Sequence, residues 1–248
     1  MPGRVAPRVH RRAAAMRAAI RPLLLPTLLA LASREARTQG GPAELHAEFL
    51  LGTAWSLPTP LTVRLPDAPP QRVRARYDTR PWADAPYYAY RAGGGRLGRR
   101  GAPSGWEAEL LHHKLYLRDP PPPPIERFEV THGYNLTTVN VVRPAGGLAV
   151  RVGLGLTIAH PEGRIAGRGF VRRTFLGGGY HIAGLTGQLA VGRRYALGRG
   201  RTAAYLVPEA KLTASLARVP LGDDGATVLV PNVAAHALAG VGVRRLGR

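Results

Sequence analysis

The 248-residue chain is predicted to be all-β: an eight-stranded antiparallel up-and-down barrel that crosses a membrane, preceded by a signal peptide. Three observations carry this expectation. From Gly147 to Ala159 the sequence GLAVRVGLGLTIA alternates without a break. Leu148, Val150, Val152, Leu154, Leu156 and Ile158 fall on one side, and Arg151, Thr157 and small residues on the other. A period of two marks an extended strand, and the run exceeds the ~9–11 residues a tilted strand needs to cross a bilayer. Second, no segment after Ala43 has helical periodicity, so no helix is expected to cover these apolar faces. Third, the polar faces combine charges with Gly, Ala and Thr, as a narrow lumen requires. A soluble lipocalin-type barrel would place its apolar face inward and its polar face outward.

Residues 1–32 read as a targeting segment. Six arginines precede the apolar run Leu23–Ala32, which ends in the small-x-small pattern Ala30-Leu31-Ala32. The run is too short for a transmembrane helix, and Met16 is an alternative start. Residues 33–42 form a disordered lead-in, and 43–248 the barrel. Net charge is +20, nearly all arginine; about +14 remains once residues 1–32 are set aside. Such an excess calls for an anionic partner. Nucleic acid is excluded as that partner, because the arginines lack interleaved stacking aromatics and the chain is read as exported. There is no cysteine, and so neither a disulfide nor a zinc–thiolate site.

Each strand follows from the same alternation. The first, Glu44–Thr53, turns Leu45, Ala47, Phe49 and Leu51 to one face. Pro86–Gly94 sends Tyr88 and Tyr90 out and Ala89 and Arg91 in. Gly105–Tyr116 sets Trp106, Ala108 and Leu110 against Glu107 and Glu109. His132–Arg143 sets Thr137, Val139 and Val141 against Thr138 and Asn140, and the run just described is the fifth strand. Tyr180–Tyr195 sets Leu185, Leu189 and Val191 against Thr186 and Gln188. Thr202–Leu216 sets Leu206, Leu212 and Leu216 against Glu209, Lys211, Thr213 and Ser215. Val228–Val243 sets Ala237, Ala239, Val241 and Val243 against His236.

The connections alternate in length. Long ones are expected at Ala54–Ala85, Leu117–Thr131, His160–Gly179 and Ala217–Thr227. This is the asymmetry of a bacterial outer-membrane barrel, with short periplasmic turns and long external loops. Leu61–Leu65 and Arg72–Tyr77 alternate too and are expected to form a small external hairpin. The partners implied are membrane lipids, with lipopolysaccharide phosphates for the external arginines Arg64, Arg72, Arg74, Arg76, Arg80, Arg164, Arg168, Arg172 and Arg173.

Placed inward by parity, Glu44, Glu48, Glu107, Glu109 and Glu209 face Arg91, Arg151 and Lys211. Two readings stand: a salt-bridged plug that keeps buried charges paired, or carboxylates that hold a metal or move protons. Arg151 is expected to pair with Glu107 or Glu109. His113 and His132 point inward on hairpin partners by the same parity, a pair able to hold a divalent metal ion; the alternative is histidines at headgroup level. No zinc or nucleotide signature is present.

Several blocks resemble one family. Pro86-Tyr87-Tyr88-Ala89-Tyr90-Arg91, then Gly105-Trp106-Glu107-Ala108-Glu109-Leu110-Leu111-His112-His113-Lys114-Leu115-Tyr116, and Phe128-Glu129-Val130-Thr131-His132-Gly133-Tyr134-Asn135-Leu136 with Thr138-Val139-Asn140, are similar to runs of a family of small outer-membrane barrels that includes lipid A oxidases. Glu209-x-Lys211-x-Thr213-x-Ser215 and His236 resemble later positions. The chain departs from the pattern at Leu111, where Thr is usual, at Leu238, where Asn is usual, and in lacking a terminal aromatic recognised by the barrel-assembly machinery. The resemblance implies a lipid A-modifying oxidase at the outer leaflet that uses molecular oxygen; the alternative is a non-catalytic barrel. Motif matches combined with inward parity give Glu107, Glu109, His113, His132, Asn140 and Glu209 as candidate catalytic residues, with His113 and His132 as candidate metal ligands.

Overall fold

The computed structural model describes residues 41–247, apart from 84, 99, 119 and 120. The expected signal peptide at 1–32 lies outside the described residues. Eight barrel strands run β1 (Ala43–Ser56), β2 (Tyr88–Leu97), β3 (Pro103–Leu117), β4 (Ile125–Ala145), β5 (Leu148–Ala159), β6 (His181–Gly192), β7 (Thr202–Leu221) and β8 (Ala226–Leu246). Each pairs antiparallel with the next, and β8 returns to β1, so the sheet closes. Closure leaves no open edge within the ring, the condition for a sheet to span lipid.

The ladder is staggered. Followed round the ring from Glu44 through Gly95, Gly105, Val142, Arg151, Ala190, Lys211 and His236, it returns to β1 at Ala54, ten residues further on. A stagger of that size tilts the strands by about 40°, given a rise of ~3.3 Å per residue and ~4.8 Å between strands. On β7 the outward apolar residues run from Ala204 to Leu216, which at that tilt spans about 30 Å, a bilayer core. Trp106, near the lower end of β3, and Trp55, near the upper end of β1, face outward at 60% and 61% exposure, as belt residues do at the two interfaces.

The burial pattern bears out the assigned faces. Leu154, Leu185, Val139 and Leu212 are exposed, whereas Arg151, Glu107, Asn140 and Lys211 are buried. Apolar outside and charged inside is the reverse of a soluble barrel. The lower turns are short. That between β4 and β5 is Gly146-Gly147, both at positive φ (58° and 92°), as a two-residue type I′ hairpin loop demands.

Two expected long loops are corrected. β4 begins at Ile125 rather than His132, and β7 and β8 continue to Leu221 and from Ala226. Above the bilayer the face chemistry switches within one strand. On β7, Ala217, Val219 and Leu221 are buried while Arg218 is exposed. An alternation with apolar residues inward and arginine outward belongs in water, so a search for lipid-facing aliphatics reads it as loop. The expected hairpin forms from Thr59–Arg64 and Gln71–Ala75, and its first strand pairs with β8 at Val63↔Val228. Its Leu61 and Val63 join Phe128, Ile165, Leu221 and Val228 in an apolar core that caps the barrel.

Candidate functional site

The lumen is filled in layers. Its lower half holds a closed network of buried charges. Arg91 Nη1 donates to Glu48 at 2.6 Å, its Nε to Glu109 at 2.7 Å, and its Nη2 to Glu209 at 2.6 Å, with Glu107 3.5 Å away. Arg151 Nε donates to Glu107 at 2.7 Å, and its Nη1 lies 3.1 Å from Glu209. Lys211 Nζ donates to Glu109 and lies 3.5 Å from Glu209. Arg194, from the lower turn after β6, turns inward; its Nη1 donates to Glu44 at 2.5 Å and its Nη2 to Glu48 at 2.7 Å. Tyr205 Oη donates to the same Glu48 oxygen at 2.8 Å, and the Arg194 guanidinium lies 4.5 Å over the Tyr205 ring.

His46 completes the set. Its Nε2 is 3.0 Å from Glu107 and its Nδ1 3.1 Å from Glu44. Nε2 is hydrogen-bonded to Glu107 and Nδ1 only lies close to Glu44, and carboxylates on both sides of the ring favour its charged form. Five glutamates then meet Arg91, Arg151, Arg194, Lys211 and a charged His46, so the layer is neutral. That balance lets charges sit beneath a lipid-facing wall.

Above the charges lies a neutral polar layer. His236 accepts or donates at both nitrogens, towards Tyr87 Oη and towards Thr213 Oγ1 at 2.8 Å. The His113 ring stands 5.2 Å from it at 73°, with His113 Nε2 3.2 Å from Asn232 Oδ1. Asn232 in turn donates to Ser56 at 2.9 Å. On the neighbouring wall Gln188 Nε2 donates to Asn140 Oδ1 at 2.7 Å. Gly153 makes that possible, since a Cβ there would come within 1.8 Å of Asn140 Oδ1.

The candidate residues therefore divide. Glu107, Glu109 and Glu209 share the charge network, and Arg151 takes Glu107 as its partner. His113 belongs to the histidine layer and Asn140 to the amide wall. His132 is corrected: it points outward, its side chain 56% exposed, and does not meet His113. The parity count fails because a bulge intervenes. β3 and β4 pair at His113↔Tyr134 and next at Leu115↔Val130, so β4 carries two extra residues there. Gly133, at φ 125°, sits in the bulge, and a glycine inside a strand is the signal for one. The His113–His132 metal pair is thus not formed.

The inward set expected from the sequence lacks His46 and Arg194. Five inward acids against three inward cations is an imbalance that a sealed lumen cannot hold. That count calls for two more cations; His46, between Glu44 and Glu48 and in phase with both, is the first place to look.

Outside the barrel, just above the bilayer, His132 lies beside His160 and Glu162. Burial holds the His160 imidazole below the usual histidine range despite a backbone hydrogen bond at Gly178 and the nearby Glu162 carboxylate.

No protein-family model matches the sequence, and no curated protein does. Among solved structures, the chain is similar to the crystal structure of the outer membrane protein OprG from Pseudomonas aeruginosa. Identity is 12%, the match covers 84% of this chain and 98% of that one, and the TM-score is 0.39.

Proposed function

We propose that the protein is a bacterial outer-membrane barrel that does not conduct: a sealed scaffold that holds its upper extension at the outer leaflet. The observation that carries this reading is the charge-matched lumen inside an aliphatic wall. Buried ions are tolerated in such a wall only when paired, and among the described residues each of the five lumen glutamates has a cation within 4.0 Å. Closed strand barrels of this kind belong to outer membranes and take lipid, and the machinery that inserts barrels, as partners. The test is planar-bilayer recording of the purified protein, with heat-modifiable gel mobility as the control for folding. A folded protein that adds no stepwise conductance agrees with a sealed lumen; regular conductance steps contradict it.

A second reading, lipid A modification by an oxidase, draws support from one feature. His132, His160 and Glu162 gather just beyond Ile158, the last outward aliphatic of β5, near Arg172, 4.0 Å from Glu162. On this reading the lumen residues Glu107, Glu109, His113, Asn140 and Glu209 hold the barrel, and the reacting groups lie at the rim. Mass spectrometry of lipid A from cells with and without the protein decides it: a gain of one oxygen supports oxidation, and unchanged lipid A removes it.

A further inference from the structure

His132, His160 and Glu162 converge although they come from three different places: the β4 bulge, the residue after β5, and the short strand Glu162–Ile165. Their potential ligand atoms all lie within 4.8 Å of one another. Glu162 Oε1 is 3.0 Å from His132 Nδ1 and 3.6 Å from His160 Nδ1, and the two rings stand 5.2 Å apart at 85°.

The positions are held from behind. The His160 backbone N–H donates to Gly133 O at 3.0 Å, tying it to the bulge that turns His132 outward. Tyr180 stacks on the His160 ring at 4.7 Å and donates its hydroxyl to His132 O at 3.0 Å. Gly179 leaves room for His160 Nε2; a Cβ there would come within 2.9 Å of it. Nε2 thus faces the loop, with Arg172 Nη1 3.3 Å away. His160 is only 5% exposed, and its buried Nδ1, aimed at Glu162, has no hydrogen-bond partner. A histidine held by its backbone N–H and by the stacked Tyr180 ring, with a buried Nδ1 aimed at a carboxylate and a second imidazole, can present that nitrogen as a ligand once Arg172 withdraws and the proton sits on Nε2.

We propose that His132, His160 and Glu162 bind a transition-metal ion of the Zn(II) type on the outer wall of the extension. Two imidazoles and one carboxylate suit Zn(II), Co(II), Ni(II) or Cu(II) and disfavour the all-oxygen preference of Ca(II) and Mg(II). Tetrahedral ligands each ~2.1 Å from an ion lie about 3.4 Å apart. The widest pair, within 4.8 Å now, therefore closes by up to about 1.4 Å, which a rotamer change of the exposed His132 side chain supplies. Arg172, 64% exposed, moves into solvent as the ion enters. Three protein ligands leave one position open, and the exposed side of His132 and Glu162 puts it towards the headgroups. The site stands whether or not lipid A is modified.

The test is titration of the untagged protein, purified from membranes in detergent, with Co(II) and then Zn(II). One equivalent of Co(II) should bind with visible d–d absorption, and Zn(II) should displace it. Glu162→Gln and His132→Ala, both at partly exposed positions, should weaken binding about tenfold or more while keeping heat-modifiable mobility. His181→Ala should bind as wild type, because that ring is directed to Val171 O. Absence of saturable binding, or affinity unchanged in a His132→Ala/Glu162→Gln double variant, overturns the proposal.

Discussion

Replacing Arg91 with methionine removes the cation that touches most of the plug. Its guanidinium contacts Glu48, Glu109 and Glu209 at 2.6 Å and approaches Glu107 at 3.5 Å, with every partner almost wholly buried. The substitution keeps much of the side-chain volume but leaves the layer one charge out of balance. Removing one member of a buried ion pair costs about 3–5 kcal/mol, because the partner stays buried and uncompensated. The other cations still touch each glutamate, so a cost near the middle of that range is expected. The assay is urea unfolding in lipid vesicles, with heat-modifiable mobility as the folded-state control. Arg91→Met/Glu109→Gln restores the charge count and should recover at least about 1 kcal/mol relative to additivity, as expected of residues in one network. A single-variant loss below about 1 kcal/mol, or strictly additive losses in the double variant, would refute the account of the lumen as a mutually dependent charge network.

Two further outcomes follow from packing. Gly242→Ala puts a Cβ within 2.6 Å of the Tyr205 ring and hydroxyl, pushing that hydroxyl off Glu48; a loss of about 1–3 kcal/mol in the same unfolding assay is expected from overpacking, and an unchanged midpoint would contradict it. Leu61→Ser, at a fully buried side chain of the upper hairpin, should expose residues 66–70 to limited proteolysis while the barrel keeps its heat-modifiable mobility; loss of both together would show that the cap and the membrane barrel are one unit.

Within the bilayer one rule carries most of the structure: lipid outside, paired polarity inside. Strict alternation therefore reads directly, and Arg91, Arg151, Glu107, Glu109, Glu209 and Lys211 fall where parity puts them. The pairing of Arg151 with Glu107 follows because the stagger of β3 and β5 against β4 brings those positions together. Reading fails where the rule changes. Above the bilayer water replaces lipid, so Val219, Leu221 and Val228 turn inward, and the same alternation carries the opposite meaning. At Gly133 a bulge resets the count and turns His132 out. Arg194 lies outside any strand, so no periodicity places it; only the charge balance of the whole lumen asks for it. The cluster of His132, His160 and Glu162 is non-local in this sense too, since its members meet only after the bulge and the turn following β5 have formed.

The central claim is that the aliphatic face of β5 meets lipid. Leu154 tests it most directly: it lies midway along the strand, opposite Val139 and Gly187, and is 75% exposed. In water, Leu154→Arg at so open a position would change stability by no more than about 0.5 kcal/mol. Near the middle of a bilayer the same change costs about 2–4 kcal/mol. Measured by urea unfolding in lipid vesicles, a loss in the higher range is predicted, and a near-neutral result in correctly folded protein would contradict the membrane-spanning assignment.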